Sequence, residues 1–219
     1  MSKGICRVAL IGALAAGLVQ ACAGGSSRSE GAADAAPRPE RFTICHGYSC
    51  TFTEPAGLKP EEWAVVRRVF EPRPADAAEE RRRIARAVAL IETAIAVRVG
   101  IADDRPGAPQ FLFESTRGQM DCIDKSHNAS VYLTLIERAN LLVWHRQVAI
   151  VHRGMLFDLQ YPHQSAAVAE KSTGEQFAVD QWFHAPGVVA EIVPMSVWRR
   201  GWHPERVRER SEALAIETP

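Results

Sequence analysis

The spacing of apolar residues changes once along this chain, near residue 142, and that change restricts the possible folds more than any other feature. Before it, apolar side chains recur every three or four residues, as between Ile84 and Ile95, which predicts helices with one buried face. After it, short apolar runs predict strands at residues 142–151, 164–170 and 175–183. Helices followed by strands joined through short turns predict an α+β domain with an antiparallel sheet.

Local signals predict where three helices begin. Pro60 suits the first turn of one helix, and Asp76 can cap the start of a second. Asp121 can cap a third helix that starts near Cys122, and Asn140 can end that helix in a left-handed conformation. The predicted inward face of the third helix consists of Ala129, Tyr132, Leu133 and Ile136.

The first 22 residues have the pattern of a bacterial lipoprotein signal. A positive start is followed by an apolar run at residues 8–18 that is too short to span a membrane. Residues 19–22, Val-Gln-Ala-Cys, resemble a lipobox, so we expect removal of residues 1–21 and an acyl anchor on Cys22. An ordinary cleaved signal with an incidental cysteine is the alternative. The lipid bilayer is then a partner of the mature protein, which would face the periplasm from the cell envelope, with the outer membrane favoured because residue 23 is not acidic.

The rest of the chain divides into a tether, one domain and a tail. Residues 22–40 are rich in Gly, Ser, Ala and Pro and predict a flexible tether. Residues 41–204 suffice for a single domain with its own core, and residues 205–219 predict a polar tail. The chain has 26 basic and 26 acidic residues, and loss of Lys3 and Arg7 with the signal leaves 24 against 26. This balance gives no basic field, so nucleic acid is not an expected partner.

The cysteines of the predicted domain divide into a pair and a single thiol. Cys45 and Cys50 lie within residues 42–53, which read as an extended segment. In an oxidising exported compartment these two are predicted to close a small disulfide loop. Cys122 then remains unpaired, which marks it for attention in an exported protein.

Cys122 has surroundings that suit a nucleophile. The free amides and positive dipole end of a helix start favour a thiolate, so we expect its pKa to lie below the ordinary value of about 8.5, although Asp121 and Asp124 oppose this. A thiol nucleophile also needs an imidazole to move its proton and a group to orient that imidazole. His163 and Asp180 are the candidates for these two roles. The alternatives are a buried filler cysteine, a surface histidine and a structural aspartate.

Strand parity places His163 and Asp180 on one face of the predicted sheet. In an antiparallel pair, the numbers of directly opposed residues have a constant sum. If residues 171–174 form a four-residue turn, Asp180 opposes Ser165 and lies one diagonal step from His163. We expect the helix bearing the cysteine to pack on this face, whose other residues are small: Ser165, Ala167 and Ala178.

Three segments together resemble the bacterial transglutaminase-like cysteine peptidases. They are residues 118–124, Gly-Gln-Met-Asp-Cys-Ile-Asp, then Pro162-His163 at the start of one strand and Val179-Asp180 in the next. In that superfamily a cysteine at a helix N-terminus meets histidine and aspartate on adjacent strands, in this chain order. The resemblance covers about residues 118–183. It implies a papain-like core with Cys122 as nucleophile, His163 as base and Asp180 as the orienting group.

The resemblance implies a thiol hydrolase or amidase, a cysteine peptidase or acyl transferase that acts on amide bonds without a cofactor. Gln119, helped by the backbone N–H of Cys122, is the candidate donor to an oxyanion. Peptide or peptidoglycan-type amides are plausible substrates because they are near the expected location. A catalytically silent envelope lipoprotein that uses the same fold to bind a partner is the alternative.

Histidines elsewhere allow a metal hypothesis. His145, His152 and His184 could join His163 and Asp180, since imidazoles and a carboxylate are zinc ligands. No HExxH motif or close histidine pair supports this, so no metal site is expected. His145 and His152 lie on one predicted strand and would face opposite sides if that strand were regular.

Overall fold

The computed structural model of the chain describes residues 36–107, 115–154 and 162–205, and these contain four helices and two antiparallel sheets. The predicted α+β class is therefore confirmed. The helices are α1 (Pro60–Arg68), α2 (Ala77–Ala96), α3 (Cys122–Arg138) and α4 (Met195–Trp198). The strands are β1 (Phe42–His46), β2 (Phe52–Ala56), β3 (His145–Arg153), β4 (His163–Glu170), β5 (Gln176–Asp180) and β6 (Glu191–Pro194). Strands β1 and β2 pair as a hairpin, and β3 to β6 form the larger sheet in sequential order.

The helix starts follow the predicted capping signals. Pro60 is the first residue of α1, and the side chain of Asp76 accepts a hydrogen bond from an amide in the first turn of α2. Asp121 caps α3 by accepting hydrogen bonds from the amides two and three residues ahead of it. Asn140 follows α3 with a φ of 56°, in the left-handed region that ends helices. Short-range hydrogen bonding therefore sets these boundaries.

The main core lies between α2, α3 and one face of the larger sheet. The predicted stripe of α2 and the predicted inward face of α3 are fully buried in it. The sheet contributes Ala166, Val168, Phe177 and Val179 to this core. The prediction that α3 packs against Ala167 and Ala178 is therefore wrong. Those residues lie on the opposite face, where their small size makes room for Trp198, while α3 packs against the larger apolar side chains.

The register between β4 and β5 is the predicted one. Ala166 opposes Val179, so the next pair outward consists of Ser165 and Asp180. The turn at residues 171–174 thus has the even length that keeps the two strands in phase. This register determines which side chains meet at the end of the sheet.

Strand β3 begins at residue 145, three residues later than predicted. The buried carboxylate of Glu80 accepts hydrogen bonds from the amides of Val143 (2.6 Å), Trp144 (3.0 Å) and His145 (2.8 Å). A carboxylate of α2 therefore takes the place of a neighbouring strand for this segment. The apolar character of the segment predicted a strand because it could not reveal this partner.

A bulge between Val148 and Val151 shifts the pairing of β3 with β4 by one residue. Before the bulge His145 opposes an even-numbered residue of β4, and after it His152 does so too. The two histidines therefore lie on the same face of the sheet. The expectation of opposite faces applied to a regular strand, and the bulge makes this strand irregular.

Two features at the ends of the described domain were not anticipated from the sequence. Arg38 and Arg41 exchange backbone hydrogen bonds of 3.0 and 2.9 Å, and the Leu58 amide donates to the Pro39 carbonyl at 2.7 Å. These bonds connect residues just ahead of β1 to the rest of the domain. At the other end, β6 was not predicted because four residues are too few to display an alternating pattern.

Candidate active site

The segment that leads into Cys122 is held closely by its neighbours. Gly118 has a φ of 81°, and a Cβ on it would lie 2.4 Å from the carbonyl oxygen of Gly100, so this position requires glycine. The Met120 amide then donates to the carboxylate of Asp104 at 2.6 Å. These contacts place Cys122 at the first position of α3. Its side chain is half-buried and does not form a disulfide.

His163 and Asp180 form a buried hydrogen-bonded pair. His163 is the first residue of β4 and Asp180 the last of β5, and Nε2 of the histidine lies 2.6 Å from Oδ2 of the aspartate. The same carboxylate oxygen accepts a hydrogen bond from Nε1 of Trp198 at 2.8 Å. The other oxygen accepts from the Trp182 amide at 3.2 Å. The carboxylate is thus oriented by three donors.

Aromatic rings enclose the imidazole of His163. The ring centroids of Trp182, Phe183 and Trp198 lie 4.9, 5.6 and 5.5 Å from that of the histidine. Because Nε2 donates to the carboxylate of Asp180, Nδ1 carries the lone pair in the neutral ring. Nδ1 is buried and has no hydrogen-bond partner within the described part of the chain. It is therefore an unused proton acceptor.

The sulfur of Cys122 lies at the same end of β4. The backbone N–H of Gln164, the residue after His163, donates a hydrogen bond to Sγ. The peptide segment that begins β4 thus carries the imidazole and contacts the thiol. The start of α3, the start of β4 and the end of β5 thus meet at one corner of the domain. However, α3 covers the face of the sheet opposite to His163 and Asp180, and no hydrogen bond joins Sγ of Cys122 to Nδ1 of His163.

The pKa of the Cys122 thiol is raised to about 11, mainly by burial, and the carboxylates of Asp121 and Asp180 add to the rise. The prediction of a lowered pKa is therefore wrong. The N-terminal end of a helix contributes about 0.3–1 kcal/mol, which is less than one pKa unit. Desolvation and two nearby negative charges outweigh it, so the resting thiol is protonated at neutral pH.

The acidic residues beside Cys122 have structural partners that the sequence did not reveal. Asp124 is fully buried and accepts hydrogen bonds from the amides of Tyr48 (2.9 Å) and Cys50 (2.7 Å). Burial and the adjacent Asp121 raise the pKa of the Asp124 carboxyl. The loop that supplies these amides is closed by a disulfide between Cys45 and Cys50, the pairing expected from the sequence.

A buried ionic cluster supports the first turns of α3. Lys125 Nζ lies 3.1 Å from Glu92 and 3.3 Å from Asp104, and burial raises the pKa of Asp104 to about 6. Glu92 also accepts a hydrogen bond of 3.2 Å from the side chain of Gln181, the residue after Asp180. Sequence reasoning missed this cluster, although Lys125 lies four residues before Ala129 on the inward face of the helix.

Gln119, the candidate oxyanion donor, has its side chain engaged elsewhere. Its amide nitrogen donates to the Asp103 carbonyl at 3.0 Å, and its amide oxygen accepts from the Arg105 backbone at 3.2 Å. These bonds fasten the loop ahead of α3 rather than prepare a donor for a substrate. Of the two candidate oxyanion donors, the Gln119 side chain and the Cys122 backbone N–H, only the latter therefore remains.

The other histidines do not join His163. Nδ1 of His145 lies 2.9 Å from Glu80, and Nε2 of His184 lies 3.1 Å from Glu191, so each has its own carboxylate partner. Within the described ranges, one group of three potential metal ligands has its donor atoms within 4.8 Å of one another: Cys45, Cys50 and His127. Both sulfurs of that group belong to the disulfide.

Trp198 is the site residue that sequence reasoning did not find. It is completely buried, packs against His163 and donates to Asp180, and no motif in the sequence around it marks this role. Its position follows from β6 and α4, which the sequence did not predict. Beside the site, a recess of about 590 Å³ is lined by Phe183, His184 and other residues, and Phe183 also packs against His163.

Comparison with known proteins finds no match to this chain among protein-family models, curated proteins or solved structures. None of the helices in the described ranges is both long and apolar enough to cross a membrane. The side chains of the site are therefore the basis on which a function can be inferred.

Proposed function

We propose that the protein is a lipid-anchored thiol hydrolase or amidase of the bacterial envelope that acts on amide bonds through Cys122, His163 and Asp180. One observation carries this proposal. The 2.6 Å contact between His163 Nε2 and Asp180 Oδ2 leaves Nδ1 as a buried, unbonded acceptor, one residue from the amide that binds the Cys122 sulfur. Acyl transfer needs a base that a carboxylate orients toward a thiol, so the proposed reaction requires Sγ of Cys122 and Nδ1 of His163, which are not hydrogen-bonded at rest, to come together.

In the proposed first step, Sγ of Cys122 attacks the carbonyl carbon of an amide while Nδ1 of His163 takes the thiol proton. A C–S bond forms, and the oxyanion is placed toward the backbone N–H of Cys122. Collapse of this intermediate breaks the C–N bond, and the imidazolium returns its proton to the departing amine. The product on the protein is a thioester.

In the second step, water attacks the thioester and His163 takes one of its protons. The C–S bond breaks, a carboxylic acid leaves, and the thiol of Cys122 recovers its proton. An amine in place of water would give acyl transfer instead of hydrolysis. Either outcome uses the same three side chains and no cofactor.

The raised pKa of Cys122 determines how His163 must act. Because the thiol keeps its proton at neutral pH, the base has to remove that proton during the attack. Asp180 supports this role in two ways: it orients the imidazole, and its charge stabilises the imidazolium that forms. Trp198 holds the carboxylate in place through its indole N–H.

Peptide or peptidoglycan-type amides are the proposed substrates. The proposed acyl anchor on Cys22 would keep the site near such polymers, and the recess of about 590 Å³ beside Phe183 has room for a substrate side chain. His184 and Glu191 line this recess and supply polar groups that could orient a bound amide.

Acetylation by p-nitrophenyl acetate tests the proposal without knowledge of the natural substrate. The purified full chain is mixed with the ester at about pH 7.5, and the acetyl adduct on Cys122 is followed by mass spectrometry. We expect His163→Ala to slow this adduct by about 100-fold or more, the usual contribution of a positioned base. His152→Ala removes an exposed histidine of β3 and should leave the rate unchanged. Equal rates in His163→Ala and the unmodified chain would refute the proposal.

A catalytically silent lipoprotein that binds a partner is the competing function. The burial and raised pKa of Cys122 favour it, since an inert structural cysteine has the same properties. In that case the unmodified chain would form no acetyl adduct on Cys122 beyond that of a buried thiol, and His163→Ala would make no difference.

A further inference from the structure

The loop between Cys45 and Cys50 has an unusual backbone. Gly47 has a φ of 85°, and Tyr48, Ser49 and Cys50 follow with φ values of 67°, 54° and 54°. Three consecutive residues with side chains in the left-handed region are sterically unfavourable, so the surroundings must impose this conformation. Two features do so: the disulfide joins the ends of the loop, and hydrogen bonds hold its centre.

The loop donates its amides to the carboxylates that flank Cys122. Successive N–H groups in a left-handed turn converge on one side and bind an anion. The amides of Tyr48 and Cys50 donate to the two oxygens of Asp124 at 2.9 and 2.7 Å. The amide of Ser49 donates to Asp121 at 3.0 Å. The loop thus binds the residue before Cys122 and the residue two positions after it.

Further contacts extend this attachment along the polypeptide on both sides of the cysteine. The Gly47 amide donates to the Gln119 carbonyl at 2.7 Å. Asn128 accepts from the Cys45 amide at 2.7 Å and donates to the Cys45 carbonyl at 2.8 Å. The disulfide-closed loop therefore contacts the chain from three residues before Cys122 to six residues after it.

We infer that the Cys45–Cys50 disulfide is a redox-sensitive positioning device for Cys122, and that its reduction loosens the start of α3 and slows acylation of the thiol. The part of this inference that concerns acylation rests on the proposed function. The part that concerns the start of α3 does not, because it follows from the hydrogen bonds alone.

The reduction itself needs a dithiol as the reductant. A thiolate of the dithiol attacks Sγ of Cys50, which is partly exposed, and the Cys45 sulfur leaves, since Cys45 is buried. The second thiol of the reductant then displaces Cys50. Two electrons and two protons pass to the protein, which gains two thiols, and the reductant leaves as a disulfide.

Hydrogen exchange and cysteine labelling of the purified full chain, before and after dithiol treatment, test this inference. A chelator is included because reduced Cys45 and Cys50 would lie near His127 and could hold a metal ion. We expect exchange at residues 121–125 to speed up by about tenfold or more, while α2 stays protected. Iodoacetamide labelling of Cys122 at about pH 8.5 should rise by about tenfold as burial is lost, while acetylation by p-nitrophenyl acetate falls.

The Cys50→Ser variant provides the matched comparison. It should have the exchange pattern of the reduced chain and should not respond to the dithiol. Asp124→Asn retains one acceptor oxygen and should speed exchange of the Tyr48 and Cys50 amides while the disulfide remains intact. If Cys50→Ser does not fold, the reduced chain still provides the measurement.

Three results would overturn the inference. The first is unchanged exchange at residues 121–125 on reduction. The second is an equal loss of protection in α2, which would make the disulfide a general stabiliser. The third is unaltered labelling of Cys122. If the chain does not acetylate at all, the proposed function fails, but the exchange and labelling results still decide whether the disulfide positions Cys122.

Discussion

Cys122 lies where helix amides stabilise an anion, and yet its surroundings keep the proton on its sulfur. Burial is the main reason that the pKa of the thiol rises to about 11, and Asp121 and Asp180 contribute. One pKa unit corresponds to about 1.4 kcal/mol, so the helix terminus can offset only a small part of this rise. A thiol in this setting depends on a base that acts during the attack. At the scale of single residues, His163 is therefore as important as the nucleophile.

The first residue-scale prediction concerns alkylation of Cys122 by iodoacetamide. Below about pH 9 the thiol should react more slowly than free cysteine, and its rate should keep rising toward the pKa of about 11. Asp180→Asn removes a negative charge, lowers this pKa and should speed the reaction at any given pH. Asp103→Asn, which alters an exposed acid, is the control. A rate that levels off below about pH 8.5 would contradict the raised pKa.

The second residue-scale prediction concerns Asp104. Its pKa is raised from 3.8 to about 6 by burial, so the folded state binds its proton more tightly than the unfolded state does. The stabilisation of the folded state that this pKa shift provides is therefore complete below about pH 4. It is lost as the pH rises through about 6. Relative to Asp104→Asn, the unmodified chain should lose up to about 3 kcal/mol of unfolding free energy between these limits. Urea denaturation at several pH values measures this, and a pH-independent difference would contradict it.

At the scale of elements, α3 is the part of the fold on which the site depends. Its first turn is bound from one side by the disulfide-closed loop and from the other by the cluster of Glu92, Asp104 and Lys125. Its apolar face packs on α2 and on the sheet, so the helix is held along its length. A helix fastened in this way can present one side chain at its tip with little freedom.

The element-scale prediction compares two helix caps. Asp76→Ala removes one exposed hydrogen bond at the start of α2 and should cost about 1 kcal/mol of unfolding free energy. Asp121→Ala removes the cap of α3 and also the bond to the Ser49 amide, so it should cost about 2 kcal/mol or more. Only Asp121→Ala should also change the labelling rate of Cys122. Chemical denaturation and labelling together test this, and equal effects of the two variants would contradict it.

Sequence reasoning succeeded at the level of elements where the signal is local. Asp76 and Asp121 cap helices through side chains that bond to amides two or three residues away, and the even turn at residues 171–174 determines the register of β4 and β5. It failed where the structure of a segment depends on contacts with residues far away in the sequence. Glu80, which belongs to α2, binds the amides just ahead of β3, so the strand begins later than its apolar residues predict. The bulge before Val151 has no residue pattern of its own.

At the scale of the whole molecule, the site lies at one corner, where a helix start and two strand ends meet. The order of α1, α2 and α3 and the pairing of β4 with β5 could be predicted from hydrophobic spacing and turn length, whereas β6 and α4 were not predicted. Which face of the sheet α3 covers could not, because both faces are apolar and the decision depends on fitting Trp198 against small residues. For the same reason the contact between Trp198 and Asp180 could not be anticipated.

The whole-molecule prediction concerns attachment to the membrane. Residue 22 lies outside the described residues, and the acyl anchor on it remains a proposal. Cys22→Ser should abolish incorporation of labelled fatty acid and release the protein from the membrane fraction, since the apolar run at residues 8–18 is too short to hold it. Fractionation and lipid labelling of cells measure both effects. Continued lipid incorporation in this variant would place the attachment at another residue.

The pH dependence of Cys122 acetylation tests the proposed mechanism most directly. If His163 removes the thiol proton during the attack, the rate in the unmodified chain levels off well below the thiol pKa of about 11. In His163→Ala the rate should instead rise about tenfold with each pH unit up to that value, because only the free thiolate then reacts. The same rising profile in both proteins would contradict the assignment of His163 as the base and would favour the silent lipoprotein.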